Sequence, residues 1–273
     1  MNNDQIKDIL LKLEETSIDF TVTMTGKSSD KVNGLYKPDT HEIFLHNENF
    51  KSDNQLIYTA IHEYTHHLIT EQKIEMNGGL PLSGTSRAHT NEFWAKFHSL
   101  LEIAEQQGVY VIGLEDAPEL AALTDDIRKN YLQRNGELML EFAQKLSQAH
   151  QLCQDANIRY EDYIDRVLRL PRAAAKTIAK IGAATVQNAP IDPSMGYENM
   201  KTVAAIANPQ KREQAQEQIL AGKSPDTVRS MMKKKVEEED VKSRLEKEKK
   251  RLEKTISQLT SRLEMVEESL SNL

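Results

Sequence analysis

His62 and His66 stand four residues apart in the run LIYTAIHEYTHHLI, and Glu63 follows the first of them. Four residues is slightly more than one helical turn, so on a helix both imidazoles leave one face and reach a single tetrahedral zinc. The pattern therefore demands a helix at this point. Ser52 and Gln55, ahead of the apolar run, make an S-x-x-Q capping pattern that starts the helix at Ser52 and carries it to about Glu71. Ile57, Ile61, Tyr64 and Leu68 form a separate apolar stripe, so the histidines are not needed for the core. Glu63 lies about 100° round the helix from His62, beside the metal. There it accepts a proton from zinc-bound water without ligating the ion and passes it to a leaving amine.

A catalytic zinc takes a third protein ligand. The stretch Ser86 to Trp94 (SRAHTNEFW) follows a glycine-containing loop at 78–85 and opens a helix predicted over 90–107. His89 is the first choice from it. Glu92, three residues on, shares a face with His89 and is the alternative. His98 falls on roughly the opposite face, His67 points away from the His62/His66 pair, and His41 and His46 read as surface residues. Tyr58, Tyr64, Arg87 and His98 are candidate donors to a developing oxyanion.

The flanking segments predict an α+β domain over 1–115: a helix at 3–15, a strand at 19–25, a hairpin pairing 34–36 with 42–45, the two site helices, and a short strand at 109–112. LIYTAIHEYTHHLI, a glycine-containing loop and then HTNEFWAKF resemble the SprT-like metallopeptidases, in which HExxH is followed by a third histidine in an H-x-x-x-F/W setting. His89 with Phe93 and Trp94 matches that setting, and GLYKPDTHEIFLH resembles the strand segment that precedes the motif there. The resemblance covers residues 1–110. It implies a zincin-type fold, a zinc cofactor and a peptide or protein substrate. The ImmA/IrrE-like peptidases of phage and mobile elements are the close alternative; their third ligand is a later glutamate, which would be Glu92.

Residues 124–235 read as all helical: one long helix over 125–156 kinked near Gly136, shorter ones at 162–168 and 172–181, a linker at 187–196, then helices at 197–207 and 209–221 and another capped by Ser224. The helix, turn and helix from Asn157 to Ile181 resemble a helix-turn-helix unit, and Arg166, Arg169, Arg172, Lys176 and Lys180 give it a basic face suited to DNA. Lys211, Arg212, Lys223, Arg229 and Lys233 to Lys235 form a second basic stretch. Residues 237–273 carry a heptad, with Leu245, Leu252, Leu259, Val266 and Leu273 at d and Lys249, Ile256, Leu263 and Leu270 at a, which predicts a coiled-coil homodimer.

A net charge of −7 argues against nucleic-acid binding along the whole chain and leaves room for a local basic patch. The single cysteine, Cys153, excludes an internal disulfide, and no apolar run approaches the roughly 18 residues of a membrane span. The N-terminus carries no signal-peptide pattern, so the expected compartment is the cytoplasm. Together these features imply a zinc peptidase with a DNA- or partner-binding helical region, at home in a phage or mobile element. The alternative is a non-catalytic DNA-binding or regulatory protein with a structural or vestigial zinc site.

Overall fold

The computed structural model describes residues 1–78, 88–186, 190–232, 246, 249–253, 255–257, 259–263 and 266. Helix predominates among them, with one small sheet of three strands, an α+β architecture. The chain divides into two compact units, one of Met1–His67 and Arg87–Lys233, the other of Leu68–Ser86 and Lys234–Leu273.

The first unit opens with α1 (Asn3–Leu13), whose Asn2 and Gln5 cap each other reciprocally and whose Ile6, Leu10 and Leu13 are buried. The sheet is built from β1 (Thr21–Met24), β2 (Gly34–Lys37) and β3 (Glu42–Leu45) in the order β1-β3-β2. β2 and β3 form the expected antiparallel hairpin, with Tyr36 opposite Ile43. β1 runs parallel to β3, with Val22 opposite Ile43. Alternation along the strands buries Val22, Tyr36, Ile43 and Leu45.

The HExxH helix, α2 (Asp53–Met76), outruns its predicted end at Glu71. Its start follows the predicted capping chemistry with a one-residue shift. Ser52 Oγ accepts from the Gln55 N–H at 3.3 Å, and Gln55 Oε1 accepts from the Lys51 N–H at 2.9 Å. The next helix, α3 (Asn91–Gln106), is capped by Thr90, whose side chain accepts from the Phe93 N–H.

Residues 109–112, expected as a strand, join no sheet. The Asn54 side chain takes the place of a neighbouring strand: its amide donates to the Val111 carbonyl at 2.6 Å and its carbonyl accepts from the Val111 N–H at 3.0 Å. With those backbone groups satisfied by one side chain, nothing extends the ladder.

The expected long helix starts earlier, as α4 (Pro118–Ile127), widens into π-helical turns over Arg128–Gln133, and continues as α5 (Arg134–Asp155). Proline at the first position of α4 fits the helix start. Gly136 has a role other than the expected kink. A Cβ there would sit 2.3 Å from the Pro193 carbonyl oxygen, so the glycine admits the short 3₁₀ turn Pro193–Met195 against α5. After a helical turn at Tyr160–Asp162 (α6) come π-helical residues Tyr163–Val167, and then α7 (Arg172–Val186). The turn between them is closed by Arg169 in the left-handed region, φ 53°. Ala143 and Leu146 of α5 share a buried cluster with Ile164, Ala175 and Ile178.

Three short helices finish the unit: α8 (Tyr197–Ala204), α9 (Pro209–Leu220) and α10 (Pro225–Met232). Most of residues 1–115 and of 124–235 falls in the first of these units, with Leu68–Ser86 in the second. α10 packs against α3, with Thr227 and Val228 buried and Lys223 paired with Glu102 at 2.9 Å.

In the second unit the described residues between 246 and 266 are helical, and Leu252, Ile256, Leu259, Leu263 and Val266 of the heptad stripe are exposed. Leu245, Leu270 and Leu273 lie outside the described residues, as do Lys233 to Lys235 and the loop 79–87. Among the described residues no helix is long and apolar enough to cross a membrane.

Candidate metal centre

α2 carries His62 and His66 one turn apart, and both are half-buried. His89 arrives from the residues just ahead of the Thr90 cap and is exposed. Ligand-capable nitrogens of the three lie within 4.8 Å of one another. The His62 and His89 Nε2 atoms are 3.1 Å apart. Two imidazoles bound tetrahedrally to one zinc at about 2.05 Å have nitrogens roughly 3.3 Å apart, so the His62–His89 pair needs only a few tenths of an ångström of adjustment. Three protein nitrogens are also the number that a catalytic zinc takes. Glu92, the alternative third ligand, is exposed in the first turn of α3 and is not a member of the group.

Aromatic residues of α3 wall the histidines on one side. Phe93 lies 4.9 Å from the His62 ring and 4.4 Å from the His66 ring, and Trp94 stacks on His89 at 5.6 Å. Burial, and then the charge that His89 would carry, push the His62 pKa down to about 4. His62 is therefore neutral, the form a metal needs, through the neutral and mildly acidic range.

Glu63 is 7% exposed. A Cβ on Gly34 of β2 would lie 2.8 Å from Glu63 Cγ, 3.0 Å from its Oε1 and 2.9 Å from Thr59 Cγ2. Only a glycine leaves room for the carboxylate between the edge strand and α2. Burial raises the Glu63 pKa to about 7, against the opposing effect of the Tyr36 N–H that donates to it. A carboxylate poised near neutrality is the form in which a general base both takes and returns a proton. The sequence signal for this cradle was weak: Gly34 opens a strand-like segment, and nothing in its neighbours links it to Glu63.

His67 turns away from the triad, as predicted, but into the interior. It is fully buried, stacks on Tyr64 and contacts the Phe20 ring. Its Nε2 lies 2.9 Å from Thr16 Oγ1 and 3.1 Å from the Ile18 carbonyl oxygen. Its Nδ1 lies 3.3 Å from the Tyr36 hydroxyl. That hydroxyl is 2.9 Å from His41 Nδ1, so His41, expected on the surface, is half-buried and tied into this chain. His46, also expected on the surface, is half-buried and bonds Thr25 Oγ1 at 3.1 Å.

The candidate oxyanion donors are mostly engaged elsewhere. The Tyr64 hydroxyl donates to the Glu14 carbonyl at 2.6 Å, and His98 Nδ1 bonds Ser224 Oγ at 2.6 Å. Tyr58 is 41% exposed and packs edge-on against Phe97. Arg87 lies outside the described residues.

Of the predicted basic face, Arg166, Arg169, Arg172, Lys176 and Lys180 are all exposed, but Arg166 is paired with Asp162 and Arg172 with Asp165. Three residues of the second basic stretch are taken up by the fold, while Lys211 is exposed. Arg212 is 5% exposed and donates to the carbonyls of Ile206 and Ala184, Lys223 pairs with Glu102, and Arg229 pairs with Asp226. Phosphate contact by Arg212 is excluded by its burial. In comparisons with known proteins, no family model, curated protein or solved structure matches the chain.

Proposed function

We propose that the chain is a zinc-dependent peptidase of the HExxH type, with His62, His66 and His89 holding the metal and Glu63 as general base. The observation that carries the reading is the convergence of His89, from outside α2, on the helical His62/His66 pair. The same convergence supports the SprT-like ligand set over the ImmA/IrrE-like one with Glu92. The small sheet beside α2 fits a zincin-type domain. When bound, zinc would acidify a water and polarise the scissile carbonyl. Glu63, held by the Tyr36 N–H and walled by Gly34, would take the proton from that water and deliver it to the departing amine. A cleft of about 260 Å³, lined by Asn54, Tyr58, Thr59 and Tyr110 among others, lies on the N-terminal half of α2 and offers room for a peptide chain.

The test is bound metal by elemental analysis, followed by cleavage of an unfolded protein such as casein. Wild type should hold about one zinc per chain, lost in His66→Ala and His89→Ala, and Glu63→Gln should keep the metal and lose cleavage. Equal proteolysis by wild type and Glu63→Gln would remove the peptidase reading. Zinc retained in His89→Ala would return Glu92 to the ligand set.

DNA binding by the helical region is the second reading. It rests on α7, where Arg172, Lys176 and Lys180 recur every four residues on an exposed surface. A salt-dependent gel shift abolished by Lys176→Glu with Lys180→Glu would support it; a shift unchanged by both would not. The exposed heptad stripe of the second unit supports homodimerisation through a coiled coil.

A further inference from the structure

His89 is the exposed member of the triad and lies outside any helix, one residue ahead of the α3 cap. A ligand so placed has no backbone ladder to fix it, so its orientation must come from side-chain contacts. One set of contacts runs away from it in a line. The His89 ring stacks on Trp94 at 5.6 Å and 29°. Trp94 stacks in turn on His98, one turn further along α3, at 6.0 Å and 30°. His98 Nδ1 is 2.6 Å from Ser224 Oγ, at the head of α10. That oxygen also accepts from the Asp226 N–H at 3.3 Å.

We infer that Trp94, His98 and Ser224 are positioning residues for the third metal ligand, so that the Ser224–His98 contact just ahead of α10 sets the affinity of the metal site. The inference rests on the zinc-site reading above. Its physical content is that His98 cannot swing away from Trp94 while Ser224 holds it, and the indole, backed by His98, keeps the His89 ring facing His62. Outer contacts of this kind are worth tenfold to a hundredfold in metal affinity.

The experiment uses full-length protein and zinc alone, with the dissociation constant measured against a chromophoric chelator. Trp94, the single tryptophan, supplies a second readout through its emission. Wild type should change emission on zinc binding. Ser224→Ala should bind zinc about tenfold more weakly and lose at least half of the emission change, and Ser224→Thr, which keeps the hydroxyl, should restore both. Lys223→Ala removes the neighbouring pair with Glu102 and should change affinity by less than about twofold. Should Ser224→Ala fail to fold by circular dichroism, His98→Phe is read instead, since it keeps a ring on Trp94 and removes the nitrogen that bonds Ser224. Zinc affinity within twofold of wild type in Ser224→Ala or His98→Phe overturns the inference, as does a loss in Lys223→Ala equal to that in Ser224→Ala. Wild type that binds no zinc overturns the metal reading itself, and this inference with it.

Discussion

Replacing Glu63 by Gln should abolish cleavage and at the same time stabilise the metal-free protein at neutral pH. Glu63 is 7% exposed, and its pKa rises from 4.5 to about 7 because burial penalises the anion more than the Tyr36 N–H supports it. The folded chain therefore holds a proton in the window between those values that the unfolded chain has released. In that window the unfolded state binds fewer protons, so stability falls as pH rises. The contribution is intact below pH 4.5 and is lost by the time pH passes about 7. A rise of that size corresponds to roughly 3 kcal/mol. Glutamine has the same shape, can still accept from the Tyr36 N–H, and carries no charge to desolvate. The assay is thermal unfolding of both proteins in chelator from pH 4.5 to 8. The two should melt together at the acid end, and Glu63→Gln should melt about 6–12 °C higher at pH 8, from 2–4 °C per kcal/mol for a folded unit of this size. Excess zinc should shrink the gap, because a nearby dication favours the anion of wild type. A gap that does not depend on pH, or wild type melting higher at pH 8 in chelator, would refute the claim that Glu63 sits buried against its own charge.

Gly34→Ala should cost about 1–3 kcal/mol of stability, because its Cβ would meet Glu63 and Thr59 inside 3.0 Å. It should lower kcat more than it raises KM, which thermal melts and steady-state cleavage would separate. Arg212→Met should destabilise by about 2–4 kcal/mol, since the buried guanidinium is the partner of the Ile206 and Ala184 carbonyls; unchanged urea unfolding would show that those carbonyls find water. Leu259→Asp with Leu263→Asp, both on the exposed heptad stripe, should convert a dimer to a monomer in light scattering while leaving bound zinc at wild-type level. A monomeric wild type would dispose of the coiled coil.

What was legible in the sequence is what is local. The His62/His66 pair, the Ser52 cap and the apolar stripe of α2 all follow from spacing along one helix, and the folded chain has them there. The β2–β3 hairpin is likewise a matter of two alternating runs and a turn. Features that depend on distant chain were not legible. The pairing of β1 with β3 skips over β2, the Asn54 side chain replaces a strand partner at Val111, and α10 returns to α3 across more than a hundred residues. Basic residues misled for a related reason. Sequence shows the charge of Arg212, Lys223 and Arg229 but not the carbonyls and carboxylates that take it up.

The three histidines of HEYTHH show how one short run serves both the site and the fold. Positions 62 and 66 are four apart and share a face, while position 67 is turned by about 100° from 66 and enters the core. There His67 joins Ile18 just ahead of β1 to Tyr36 of β2, and Tyr36 donates its own N–H to Glu63. The residue beside the second candidate ligand thus helps fix the strand that holds the candidate base. A substitution such as His67→Phe keeps the ring volume but leaves the Ile18 carbonyl and the Tyr36 hydroxyl each without the imidazole they bond. Its damage should therefore appear at Glu63 as well as in the core: lower stability, together with a loss of cleavage larger than the loss of bound zinc. If His67→Phe lowered zinc binding and cleavage in equal proportion, Tyr36 would owe its position to the sheet alone.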